Sequence, residues 1–142
     1  MGFLTGKTAI ITGAGRATLS DGRCGSIGYG IATAYAKEGA NIVITGRNMQ
    51  KLLDAKEELE RLYGVKVLPV QADISAGADN EAVTKEVVAK AIAEFGRLDV
   101  LINCAQASAS GVTLADHTLE QFDLAVYSGL YATFHYMQAA YP

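Results

Sequence analysis

The sequence has few of the residues that staple or interrupt a fold. Its two cysteines, Cys24 and Cys104, lie far apart and outside any Cys-x-x-Cys pair or Cys/His cluster, which excludes a disulfide framework and a structural zinc site. Both are expected to be free thiols in a reducing compartment, so the chain is expected to be cytoplasmic. Proline occurs twice, once as the terminal Pro142, and no proline-rich linker divides the chain. No run of 18 apolar residues is present, and Met1 to Lys7 carries no apolar stretch ahead of a cleavage site. Neither a membrane span nor a signal peptide is therefore expected. The 12 basic residues are scattered and outnumbered by 15 acidic ones, for a net charge of -3. That balance argues against a nucleic-acid footprint and against a polybasic membrane patch.

Apolar residues, by contrast, make up half of the 142 positions. A chain of this length and composition suits one domain, 1–142, burying roughly two thirds of its unfolded surface. Short β-branched runs at Thr8–Thr12, Asn41–Thr45, Val65–Val70 and Asp99–Asn103 are nearly continuous in apolar side chains, as parallel strands covered on both faces must be. Helical periodicity fills the intervals. Ser26 to Glu38 stops at Gly39; Asn48 can cap a helix with a Leu52, Leu53, Leu59, Leu62, Tyr63 stripe; a third begins at Asp79 or Asn80 and carries Val83, Val87, Val88, Ile92 and Phe95. Thr118 and Gln121 have capping-box spacing ahead of a last helix through Phe122, Val126, Leu130, Phe134 and Met137. This β-α-β-α-β-α-β-α order implies an α/β fold, an open parallel sheet ordered 3-2-1-4, with a ligand crevice at the switch point between strands 1 and 4.

The first strand runs into Thr12-Gly13-Ala14-Gly15-Arg16, and Gly25-Ser26-Ile27-Gly28-Tyr29-Gly30 opens the following helix. Glycines let the backbone approach a pyrophosphate, and the helix N-terminus supplies N–H groups and partial positive charge, so the segment suits a phosphate cradle. The plainer reading is a tight turn.

This segment resembles the cofactor loop of the short-chain dehydrogenase/reductase family, Thr-Gly-x-x-x-Gly-x-Gly, with Gly13 and Gly28 in the outer positions and Ser26 where the second glycine stands. Gly28 follows Gly13 by fifteen residues where the family spacing is six, so the loop carries nine extra residues. Ala17 to Cys24 could form a surface excursion or a flap over the adenosine. The resemblance implies a Rossmann-type doubly wound sheet and contacts from Gly13, Ser26, Ile27 and Gly28 to the cofactor. After the second strand, Gly46 occupies the place of the acid that would accept from the 2′-hydroxyl of NAD, and Arg47 follows it. A guanidinium fork suits the 2′-phosphate of NADP, with Arg16 as a second positive partner, so NADP is expected in preference to NAD. Both arginines could instead be ordinary surface charges. Asp73-Ile74 resembles the family pair that meets the adenine, though Asp73 could be a turn residue. Asn103-Cys104-Ala105-Gln106 stands against the family's Asn-Asn-Ala-Gly, with Asn103 and Ala105 matching. Cys104 invites a nucleophile reading or a packing one.

Ser26–Tyr35, Glu57–Pro69, Ala105–Gly111 and Tyr127–Phe134 further resemble the bacterial 12α-hydroxysteroid dehydrogenases, NADP-linked members of the family acting on bile acids. The implied partner is a small-molecule alcohol or ketone, with homo-oligomerisation in the full-length form. The family's proton donor is Tyr-x-x-x-Lys, aided by a Ser, yet none of the seven tyrosines has lysine four residues on. The family's catalytic Asn falls near Gly129. His117 and His135 could serve as bases or as structural and solvent-facing residues. No catalytic residue is assigned. The expectation is the cofactor-binding part of a reductase, cut before its fifth strand and inactive alone, with a non-catalytic NADP-binding or sensing module as the alternative.

Overall fold

The computed structural model describes residues 2–75 and 77–141. Four parallel strands, β1 (Thr8–Ile11), β2 (Asn41–Gly46), β3 (Val67–Gln71) and β4 (Val100–Ile102), form one sheet in the order β3-β2-β1-β4. The expected α/β topology holds. Ile10 sits opposite Val43 on one side and Leu101 on the other, so the two central strands are flanked at every position.

Side chains alternate across this sheet and build two cores. On one face Ile11, Ile42 and Ile44 meet Ala32 and Ala36 of α1 (Ile27–Lys37) and Leu52, Ala55 and Leu59 of α2 (Met49–Tyr63). On the other, Ile10 and Val43 meet Val87 and Ala91 of α3 (Asn80–Phe95) and the late Ala132 and Tyr136. Central β1 is wholly buried, whereas all three residues of β4 are only half-buried. The expectation of cover on both faces fails there because the far edge of β4 pairs with no strand among the described residues.

Local chemistry sets the helix limits. Ser26 and Asn48 cap α1 and α2 by accepting from Tyr29 N at 3.3 Å and Lys51 N at 3.0 Å. Gly64 and Gly96 end α2 and α3 in the left-handed region, with φ of 67° and 73°. Several expected stripe residues face solvent: Leu53, Leu62 and Ile92 are exposed, while small Ala55 and Ala91 take the core positions. Close helix-to-sheet packing leaves those places to small side chains.

The last helix departs most from expectation. Its capping box forms, with Thr118 N donating to Gln121 Oε1 at 3.0 Å and Gln121 N to Thr118 Oγ1 at 3.2 Å. It is not continuous, however: α4 (Leu119–Ala125) passes through a π-type stretch at Val126–Tyr131 before α5 (Ala132–Ala140). The wider turn shifts the helical phase. Ser128, Ala132 and Tyr136 face inward, and the expected stripe members Phe122, Leu130, Phe134 and Met137 face out. Among the described residues no helix is long and apolar enough to cross a membrane.

Candidate functional site

A cleft of about 240 Å³ opens at the C-terminal ends of the strands. Each strand supplies part of its wall: Gly13 after β1, Thr45 to Arg47 at β2, Ala72 to Ser75 after β3, and Cys104 to Ala107 after β4. A threonine hydroxyl joins two of these segments. Thr12 Oγ1 accepts from the N–H groups of Cys104 and Ala105, both at 2.9 Å, and donates to Ile102 O at 3.4 Å. Ala14 N donates to Thr45 O at 3.0 Å and Arg16 N to Lys51 O at 2.9 Å, tying the glycine loop to β2 and α2.

Two glycines make the close approaches that the loop needs. Gly13 has φ 66°, and a Cβ there would lie 3.0 Å from Ala105 Cα. A Cβ on Gly28 would overlap the Gly13 carbonyl, so the first turn of α1 presses directly on the loop. Ser26 Oγ caps Tyr29 N and donates to Gly13 O at 3.4 Å, while the first-turn amides of Ile27 and Gly28 have no intrahelical acceptor. That cradle, free of side chains, fits a pyrophosphate at a helix N-terminus. The inserted residues fold into a small hairpin, with Thr18 and Cys24 bridged antiparallel and Leu19 N donating to Arg23 O at 2.8 Å. Cys24 is exposed.

The expected site residues are only partly gathered. Gly13, Arg47, Asp73, Ile74 and Ala105 share the cleft, and Ser26, Ile27 and Gly28 stand behind Gly13 at the start of α1. Ile74 turns its side chain into the core. Asp73 Oδ1 accepts from Ser75 N at 2.9 Å and from Ser75 Oγ at 2.5 Å, as a turn residue would. Those bonds, the hydroxyl's foremost, hold the Asp73 carboxyl below its usual range, and the charge of Arg47 adds to them. Cys104 lines the cleft without a histidine among the cleft's lining residues.

Two residues lie elsewhere. Arg16 turns to Glu58, its Nε 2.8 Å from Glu58 Oε2, instead of to Arg47. Asn103 is exposed on the open side of β4 in a separate groove with Leu101, Met137 and Tyr141. Sequence reasoning missed Lys51, which lines a second cavity beside the cleft with Gly13, Gly15, Arg47 and Asn48. The only signal was its place in the first turn of the helix after β2. Gly129, at the family's Asn position, packs on the Gln106 side chain, where an added Cβ would come 3.3 Å from Nε2.

A parallel sheet in this order, with a glycine turn and helix N-terminus bordering a cleft at its carboxyl end, defines a dinucleotide-binding class of protein. The chain belongs to the short chain dehydrogenase family, whose profile matches residues 7–142. It is 64% identical over 142 residues to a 12alpha-hydroxysteroid dehydrogenase from a Clostridium species, covering 100% of this chain and 52% of that protein. It is 34% identical over 143 residues to an uncharacterized oxidoreductase of Staphylococcus aureus, covering 54% of it. Among solved structures, L-sorbose reductase from Gluconobacter frateurii, complexed with NADPH and L-sorbose, superposes with a TM-score of 0.82 at 28% identity over 99% of this chain and 48% of that one. A short chain dehydrogenase from Burkholderia cenocepacia in complex with NADP gives 0.81 at 29% identity, over 96% and 50%. The chain thus spans about half the length of the relatives it matches.

Proposed function

We propose that the cleft binds NADP and that the chain is the cofactor-binding part of an oxidoreductase interconverting a secondary alcohol and a ketone, with a hydroxysteroid of the bile-acid type as substrate. One observation carries the cofactor reading: the ends of all four strands converge on a cleft that has a side-chain-free glycine turn on one wall and Arg47, with no acid at Gly46, on another. The substrate reading is supported by the 64% identity to a 12alpha-hydroxysteroid dehydrogenase across the whole chain.

Bound NADP supplies the carbon that accepts or returns hydride. The chain's residues hold it. Amides at Ser26 to Gly28 take the pyrophosphate, the Arg47 fork takes the 2′-phosphate, and Asp73 with the backbone of Ile74 borders the adenine. Ala105 and the backbone of Asn103 border the nicotinamide ribose. The acid-base Tyr-x-x-x-Lys and its Ser belong to the part of the enzyme beyond this sequence, so these 142 residues alone bind cofactor and turn nothing over.

Titration with NADPH and NADH tests the reading: NADPH binds more tightly, and a clear preference for NADH overturns it. Arg47→Ala weakens NADPH by about 1 to 3 kcal/mol, the worth of a lost charged hydrogen bond, and leaves NADH little changed. For the substrate, the open reading frame containing this sequence is assayed with NADP and bile acids bearing or lacking a 12α-hydroxyl. Equal turnover of both sinks the hydroxysteroid assignment.

A further inference from the structure

We propose that Lys51 is the second cation of the 2′-phosphate site and that Glu58 holds Arg16 out of it. The inference rests on the NADP reading above. Arg16 leaves the glycine loop in the right place for a phosphate partner, but its charge is already answered. Its Nε lies 2.8 Å from Glu58 Oε2, and a terminal nitrogen donates to Thr18 Oγ1 at 3.1 Å. Glu58 is fixed in turn, because Oε1 accepts the buried Tyr29 hydroxyl at 2.7 Å. Around Arg16 the groove is lined by Asp54, Glu57, Glu58 and Arg61, three carboxylates that repel a dianion.

Lys51 stands on the other side of the same backbone. Its N–H donates to Asn48 Oδ1, and its carbonyl accepts from Arg16 N at 2.9 Å, so the first turn of α2 is clamped to the glycine loop. Its Cβ lies 3.1 Å from where a Cβ on Gly15 would be, which places the exposed lysine stem along the side-chain-free turn. The same cavity is lined by Arg47, Asn48, Gly13 and Gly46. Among the described residues no carboxylate lies within 4.0 Å of the Lys51 or Arg47 charge. Two unanswered cations facing one cavity beside a 15-residue helix's N-terminus give a dianion both charge and direction.

Adenosine 2′,5′-bisphosphate and 5′-AMP differ only in the 2′-phosphate, so the ratio of their dissociation constants isolates that group from any general effect on folding. Lys51→Met is expected to weaken the bisphosphate about tenfold, a single charged contact's worth, and to leave 5′-AMP unchanged, while Lys51→Arg keeps the ratio. Arg16→Gln, which retains donors for Glu58, is expected to shift the ratio by less than about twofold. A tenfold loss with Arg16→Gln, or no loss with Lys51→Met, overturns the inference while leaving the NADP reading intact. Equal affinity of the unaltered protein for the two nucleotides overturns the NADP reading and this inference with it.

Discussion

A single hydroxyl at the end of β1 fixes where the turn after β4 begins. Thr12 is 1% exposed, and its Oγ1 is the acceptor for two backbone amides at Cys104 and Ala105. Thr12→Val keeps the shape and removes the acceptor, leaving those amides unpaired at a half-buried site. The expected cost is about 1 to 3 kcal/mol, measured as a lower urea midpoint at unchanged slope, with weaker NADPH binding because Ala105 backs Gly13. The sequence displayed the Thr-Gly step and its glycines but not this task, since the partners lie 92 and 93 residues further on. Arg16 illustrates the same limit from the other side. Its residue type suited a phosphate, yet the Glu58 that claims it is three helical turns into α2 and carries no mark in the motif.

Helices α1 and α2 are joined by the Tyr29, Glu58 and Arg16 cluster, and its chemistry has a pH signature. Burial, with Glu58 adding to it, pushes the Tyr29 phenol up to about 12 from an ordinary 10.0. The folded value lies above the unfolded one, so the folded chain keeps a proton that the unfolded chain has lost. The contribution is intact below about pH 10 and disappears as pH rises through about 12. Ultraviolet titration should show a phenol resisting ionisation to about pH 12 that is missing in Tyr29→Phe; a spectrum unchanged by that substitution would refute the assignment. At this scale most of the chain was legible: four strands, the Ser26 and Asn48 caps, the glycine stops and the Thr118 capping box follow from local residue chemistry. The π-type stretch did not. Its extra residue per turn changes which faces are buried without changing the apolar residues themselves, so counting periods along one uniform helix selects Leu130 and Phe134 where the fold selects Ser128 and Tyr136.

For the whole molecule, 142 residues and half apolar content suggested a self-sufficient core, and the two packed faces of the sheet provide one. What composition alone does not reveal is how the apolar surface is distributed. Leu119, Phe122, Leu130, Phe134 and Met137 are all more than half exposed on α4, the π-type stretch and α5, and the β4 edge lies beside them. Such a patch drives association. The 142-residue chain is expected to show concentration-dependent oligomers in sedimentation velocity, reduced by the pair Leu130→Lys and Phe134→Lys with NADPH affinity retained. A monomer at every concentration would contradict this. The π-type stretch has a further consequence for how the family member can change over time. An α-helix advances about 100° per residue, so losing one residue between Val126 and Tyr131 would rotate all of α5 by that angle and carry Tyr136 out of the core. The segment therefore counts in single residues, and insertions or deletions that a surface loop would absorb should be excluded from it, whereas the hairpin at Thr18 to Cys24 can vary in length at little cost to the sheet.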